Sequence, residues 1–374
     1  MKIALVIDGP LEQISGGYLY DRQLVDHLRS QGDEVEVVSL PAGAYLSRWE
    51  GNFDTGLVDR LAQGRADVIL QDELSHPALF ALNATLRRRT HAPIVSIVHH
   101  LRSSEPAPWP LPAFFRLIER RYLRSVQGFV FNSRATRGVV EELVGNRRPS
   151  VIASPAGDRL LPALTEDEIT RRAHEPGPLR LLFVGNLVPR KGLITLLDAL
   201  AALPPSLVRL EVVGDSGFDP GHAAAVRRRI LRRNLANQVD LVGPLYDARL
   251  AARMAASQLL VVPSMYEGFG IVYLEGMGFG LPAIGGQAGG AAEIISDGEN
   301  GFLIPPGDSA SLAHRIRLMA ENRSRLAAMS LAAQSTYRSH PTWAEAGATV
   351  RQFLADVTAL PTAVAFPTLK EEVR

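Results

Sequence analysis

The chain reads as an α/β protein built from two doubly wound, parallel-sheet domains, and three observations carry that reading. Short apolar runs alternate with helix-length amphipathic stretches, the pattern of parallel strands joined by crossover helices. The same rhythm restarts in the second half, where each strand ends in glycine or proline, the place such sheets reserve for ligand loops. At 374 residues the chain also exceeds what one typical hydrophobic core organises.

In the first half the pattern predicts strands at 2–7, 35–39, 67–70, 93–98, 128–131 and 151–153, with helices between them. Ser15-Gly16-Gly17 separates the first strand from a helix over 18–29, and Asn132-Ser133 supplies a cap for a helix over 134–144. The stretch 165–178 carries acids, arginines and Pro-Gly-Pro without an apolar period, and reads as a linker. The second half gives LRLLFVG at 179–185, LEVVG at 210–214, VDLVG at 239–243 and LLVVPS at 259–264, and Ile304 to Pro306 introduces a final group of helices. The expected organisation is therefore a first domain over 1–170, a second over 176–340, and a loosely ordered tail over 358–374.

Composition narrows the functional classes. With 46% hydrophobic and 21% charged residues this is ordinary globular protein, and the absence of cysteine excludes disulfides, cysteine nucleophiles and the usual structural zinc sites. The apolar run Ile3 to Ile7 meets Asp8 after five residues, too short for a signal peptide or a membrane span, so a cytosolic location is expected. A formal net charge of +1 and no recognised motif argue against nucleic-acid binding. No GxGxxG stands between a strand and a helix, so dinucleotide binding is not supported. Charge is uneven along the first half: residues 1–76 hold six Lys or Arg against 13 Asp or Glu, and residues 77–160 hold 13 against five. That asymmetry either marks a binding face or reflects solvated arginines on surface helices.

The most informative stretch is VVPSMYEGFGIVYLEGMGFGLP, 261–282. An apolar strand enters a Gly-Phe-Gly turn and then a short helix, and Glu267 and Glu275 stand eight positions apart around it. First-turn amides make an anion site, while carboxylates accept hydrogen bonds from vicinal hydroxyls. A ligand with an anionic middle and hydroxyl-rich ends fits: a nucleotide sugar, with Glu267 on the sugar, Glu275 on the ribose, and the diphosphate over the amides of Gly268, Phe269, Gly270, Ile271 and Val272. Upstream, Arg190-Lys191-Gly192 follows the strand 181–184, well placed to neutralise a diphosphate. Only three of the 40 basic residues are lysines, which makes Lys191 informative.

These motifs resemble the retaining glycosyltransferases of the GT-B fold, in the large family numbered four, where E-x7-E follows a Pro-Ser turn as it does after Pro263-Ser264 here. The resemblance spans most of the chain and is sharp from Val184 to Gly307. It implies two Rossmann-like domains facing a cleft, a last helix over 343–357 returning to the first domain, and transfer of a hexose from a UDP- or GDP-sugar to an acceptor hydroxyl. It places a basic residue before Lys-Gly at Arg190-Lys191 and a Gly-Gly loop at Gly16 and Gly17. A histidine follows the strand 93–98, matched by His99, with His100 where an acid is usual; either ring could reach the sugar. Backbone near Val242 would touch the base, and Gly289-Gly290 with Glu293 reads as structural. Gly276, Gly278 and Gly280 depart from the family pattern and imply either a mobile loop or unusually tight packing.

The implied catalytic set is His99, Arg190, Lys191 and Glu267. Electrostatic stabilisation of the departing diphosphate replaces a metal, the chain has no Asp-x-Asp, and no cofactor beyond the donor is expected. The acceptor could be a sugar, a lipid-linked or a small molecule. Residues 108–124 mix aromatic and apolar residues with four arginines, which suits either a core helix with a basic outer face or a peripheral contact with an anionic membrane. The rival readings are a non-catalytic nucleotide-sugar-binding subunit and a sugar-nucleotide epimerase or phosphorylase on the same fold.

Overall fold

A computed structural model describes residues 1–13, 15–105 and 108–360, and the expected tail from 361 onward lies outside them. Two units emerge. One comprises residues 1–155 with the helix Trp343–Ala359, and the other residues 156–342.

The first unit is a six-stranded parallel sheet of β1 (Lys2–Asp8), β2 (Glu34–Leu40), β3 (Val68–Asp72), β4 (Ile94–Val98), β5 (Gly128–Phe131) and β6 (Ser150–Ile152), in the order β2-β1-β3-β4-β5-β6. The chain leaves β1 toward β2 on one side and toward β3 on the other, so the order reverses between β1 and β3. Ligands of doubly wound sheets bind outside the carboxyl ends of the strands at such a reversal. Every residue of β3, β4 and β5 is buried, which explains why these strands read as continuous apolar runs rather than alternating ones. The helix Gly16–Ser30 follows β1, capped by the Ser15 hydroxyl accepting from the Tyr18 amide, and Ser133 caps Arg134–Val144 in the same way. Helix Trp343–Ala359 packs on Gly16–Ser30, and Arg351 donates to Asp33 at 2.7 Å.

The second unit is a parallel sheet of β7 (Leu179–Val184), β8 (Val208–Val213), β9 (Val239–Gly243), β10 (Leu259–Val262), β11 (Ala283–Gly286) and β12 (Gly301–Ile304), in the order β12-β11-β10-β7-β8-β9. Its reversal lies between β7 and β10. The sequence reading missed β11 and β12, which are four residues each; AIGG carries two glycines, and neither run is long enough to show a period.

A second correction concerns the expected linker. Residues Glu166–His174 form a helix with a complete capping box between Thr165 and Glu168, and the chain passes from one unit to the other at Pro155 and Ala156, ahead of the expected boundary at 170. The helix was hidden because Ile169 and Ala173 share their buried face with a charged residue. Arg172 donates to the carbonyls of Ala255, Phe279 and Gly280 at 2.9, 2.6 and 3.0 Å, so its burial is satisfied by backbone acceptors. The glycines of 276–280 are accounted for by tight packing: a Cβ at Gly278 would lie 2.7 Å from Pro162, and one at Gly280 2.6 Å from Ile169.

Candidate active site

In the second unit the residues singled out in the sequence converge at the β7/β10 reversal. After β7 the chain makes a single 3-10 turn, Pro189–Lys191, and Gly192 takes a left-handed conformation with φ 72°. A side chain there would collide with the Pro263 carbonyl, so glycine is required both by the backbone angle and by the close approach of the two loops. That approach lets the Met265 amide donate to the Arg190 carbonyl at 2.7 Å. It also sets Lys191 Nζ 2.5 Å from Glu267 Oε1, with Arg190 Nη1 3.4 Å from Oε2 and 3.0 Å from the Tyr266 carbonyl. Ser264 donates to the same Oε1 at 2.7 Å.

Glu267 is buried, and burial alone would raise its pKa; Lys191 and Arg190 outweigh this and hold it at about 2. Burial and the neighbouring Arg190 depress the Lys191 ammonium, against the pull of Glu267. Two cations therefore share one ionised carboxylate.

Beyond Glu267 the turn Gly268-Phe269-Gly270 leads into the helix Ile271–Gly278, with Gly270 left-handed at φ 103° as its N-cap. Gly289 packs on the turn so closely that a Cβ would strike the Glu267 carbonyl, which gives the Gly-Gly pair the structural role expected of it. The eight-residue spacing of the glutamates is thus half turn and half helix, rather than eight helical residues. Glu275 is buried in that helix and accepts from Arg159 Nε at 2.6 Å; its pKa is raised by burial, against the opposing charge of Arg159. Arg159, which also lies 3.4 Å from Asp247, escaped the sequence reading. It belongs to no motif, and the available signal is the small pair Ala156-Gly157 before it, where a Cβ on Gly157 would lie 2.9 Å from the Leu274 backbone. Val242 lies near the end of β9, whose pairing with β8 is irregular at Val212 and Val213.

In the first unit Gly16 and Gly17 begin the first helix, and a Cβ on Gly17 would stand 3.0 Å from the His99 ring, so these two are brought together. His99 is buried, and its Nε2 lies 3.2 Å from Asp21 Oδ1 and 3.9 Å from Asp72 Oδ1. His100 is more exposed and pairs with Glu105 at 2.8 Å. Asp21 and Asp72 were not anticipated. The signal for Asp21 was present: helical spacing puts it on the apolar stripe with Tyr18, Val25 and Leu28, where an acid is out of place.

Among the described residues, Asp21, Asp72 and His99 are also the one group of three such side chains whose ligand atoms all lie within 4.8 Å of one another. Its closest approach is a hydrogen bond between imidazole and carboxylate, so the group is internally paired. No helix among the described residues is long and apolar enough to cross a membrane.

Comparison with known proteins bears on the family and the fold. Residues 165–336 match the family described as Glycosyl transferases group 1, and residues 18–156 match Glycosyltransferase Family 4. The chain is 27% identical over 260 residues to the D-inositol 3-phosphate glycosyltransferase of Nocardia farcinica, covering 66% of this chain and 58% of that relative. It thus spans less than two thirds of that relative's length. Among solved structures, sucrose-phosphate synthase from Thermosynechococcus elongatus has a TM-score of 0.82 at 21% identity, over 96% of this chain and 99% of that one. Anabaena Alr3699/HepE in complex with UDP-glucose has a TM-score of 0.77 at 23% identity, over 96% and 100%. These two likenesses show a shared GT-B fold, and the two family matches, one in each unit, establish that the chain belongs to the group 1 glycosyltransferases.

Proposed function

We propose that the protein moves a hexose from a nucleoside diphosphate sugar to an acceptor hydroxyl, with retention of anomeric configuration and without a metal. One observation carries the reading: Arg190, Lys191 and Glu267 meet at the β7/β10 reversal, beside the first-turn amides of Ile271–Gly278. The diphosphate takes its compensating charge from Arg190 and Lys191 and hydrogen bonds from amides 268–272. Drawing the cations toward phosphate frees Glu267 for sugar hydroxyls, while Glu275 holds the ribose and backbone near Val242 meets the base. Gly16, Gly17 and His99 are ligand contacts of the first unit.

The bond from the anomeric carbon to the phosphate oxygen breaks as the bond to the acceptor oxygen forms on the same face, and the acceptor's proton passes to the leaving phosphate. Negative charge grows on the diphosphate during this step, so the paired cations stabilise the transition state more than the ground state. The HepE complex supports UDP-glucose as the first donor to try. The acceptor is a sugar, a lipid-linked or a small molecule.

The helix Leu111–Leu123 buries Phe115, Ile118, Tyr122 and Leu123 and turns Leu117, Arg116, Arg120 and Arg121 outward, with Trp109 86% exposed just before it. This face supports a peripheral contact with an anionic membrane at the cytosolic surface. The deciding experiment measures release of nucleoside diphosphate from UDP- and GDP-sugars in EDTA, with and without anionic liposomes. Turnover in EDTA and salt-sensitive co-sedimentation are expected. Loss of turnover restored by Mg or Mn would refute metal independence, failure with every donor would refute the transfer reading, and no liposome binding at low salt would refute the membrane contact.

A further inference from the structure

We propose that Asp21 and Asp72 are positioning residues that hold His99 as an imidazolium, so that its Nδ1 is a charged hydrogen-bond donor rather than an acceptor. The inference deepens the glycosyl-transfer reading, on which its kinetic part rests. Its geometric part stands by itself.

Both carboxylates are 0% exposed, and each keeps one oxygen, Oδ2, without a hydrogen-bond partner. Two carboxylates withdrawn from water beside one another are costly unless a cation or a proton compensates them. The groups facing the ring are Asp21 and Tyr20 from the first helix, and Asp72 and Glu73 from the end of β3 and the turn after it. None of these is a cation, so compensation falls to protons: burial and the neighbouring Asp21 raise Asp72 well above the ordinary carboxylate range, against the pull of His99, and the imidazole bonded to Asp21 takes the other. Burial alone would lower the His99 pKa, but Asp21, Asp72 and Glu73 overcome it and raise it to about 9. The sign is then fixed: below that pH the ring is charged.

The ring cannot turn away easily. Gly17 lies against one face, and Tyr20 packs edge-on at 5.3 Å with its hydroxyl donating to the Ala153 carbonyl at 3.0 Å. The His99 carbonyl accepts from Asn132 at 2.7 Å and from Thr136 at 3.4 Å, which fixes the backbone as well. Among the described residues the ring bonds through Nε2 only, which leaves Nδ1 for a ligand. If neutral, with Nε2–H given to Asp21, the ring would offer Nδ1 as an acceptor. The second proton converts it to a donor suited to an oxygen carrying negative charge, such as that of a phosphate, or to a sugar hydroxyl.

The test is a pH titration of the full-length chain by histidine side-chain nitrogen NMR, with the His99 signal assigned by its loss in His99→Gln. Wild-type His99 should remain protonated through pH 8. In Asp21→Asn its midpoint should fall by about one to three pH units, as expected for removal of an opposite charge at this range, and Asp21→Glu should restore it. Asp72→Asn should give a smaller fall, and it also serves if Asp21→Asn fails to fold. In turnover assays Asp21→Asn should lower kcat about tenfold or more above pH 7, with activity recovering toward lower pH. A purely structural role would lower thermal stability without moving either profile. A neutral wild-type ring at pH 7, an unmoved midpoint in both variants, or Mn²⁺ broadening confined to His99 would overturn the proposal, the last by revealing a metal site. If no donor is turned over, the titration still decides the charge state, so failure of the transfer reading and failure of this one are separable.

Discussion

The ligand edges of the two sheets share a topology and invert its chemistry. At the β7/β10 reversal two cations surround one buried carboxylate, Arg190 and Lys191 on Glu267. At the β1/β3 reversal two buried carboxylates surround one imidazole, Asp21 and Asp72 on His99. Parallel-sheet architecture decides where a ligand binds, because strand ends and helix starts gather there. It does not decide which charge waits there. One unit sets paired cations where a diphosphate would lie, while the other uses paired acids to keep a histidine charged.

The sharpest way to break this contrast is to remove the central group from the second unit. Glu267→Ala leaves Lys191 and Arg190 side by side without the buried carboxylate that both of them contact. Removing one partner of a buried pair costs about 3–5 kcal/mol, and urea unfolding should register a loss of that order. Asp21→Ala, which removes a flanking acid in the first unit, leaves His99 with Asp72 3.9 Å away and should cost less. Equal losses would mean that the two clusters are energetically alike and that the inversion has no consequence for stability.

The next effect is on rate. Lys191→Ala removes a compact charge from the place where the leaving group develops its own, and loss of one such preorganised donor lowers turnover by about 10²–10³-fold. His99→Gln should lower it by less, since the ring offers the ligand one hydrogen bond through Nδ1, whereas Lys191 acts together with Arg190 on the diphosphate. Steady-state kinetics with the best donor would compare the two. Near-normal turnover in Lys191→Ala would remove that residue from the chemistry and reverse the ranking of the two edges.

How much of this could be read from sequence follows the same division. The Arg190-Lys191-Gly192 and Glu267-x7-Glu275 motifs were legible because each is local, its charged residues lying within a few positions of a strand end and a glycine-rich turn. Gly192 shows why such motifs are compact: its left-handed φ and its contact with Pro263 demand one residue type. The clusters that went unseen are assembled over long separations. His99 meets Asp21 across 78 positions and Arg159 meets Glu275 across 116, so no window contains either pair. Strands β11 and β12 were missed for a different reason, being too short for any periodicity, and the helix Glu166–His174 because a buried arginine interrupts its apolar stripe.

The smallest expected effect is also the one that would separate the two edges most cleanly, because their pH dependences run in opposite directions. Glu267 has a folded pKa of about 2, below its ordinary value of 4.5, so its contribution is full above pH 4.5 and is lost as pH falls toward 2. His99 is raised from 6.5 to about 9, so its contribution is full below pH 6.5 and is lost as pH rises toward 9. Glu73, raised by burial from 4.5 to about 8, adds to the alkaline loss over the window between those values. Each pH unit within a window is worth at most about 1.4 kcal/mol per group. Thermal scans from pH 3 to pH 9.5, paired with hydrogen exchange to locate each transition, should find the second unit loosening first in acid and the first unit loosening first in alkali. Glu267→Gln should flatten the acid limb alone, and His99→Gln should remove the part of the alkaline limb that reaches toward pH 9 while the Glu73 part below pH 8 persists. If both units weaken on the same side of neutrality, the opposite charge design inferred for their ligand edges is wrong.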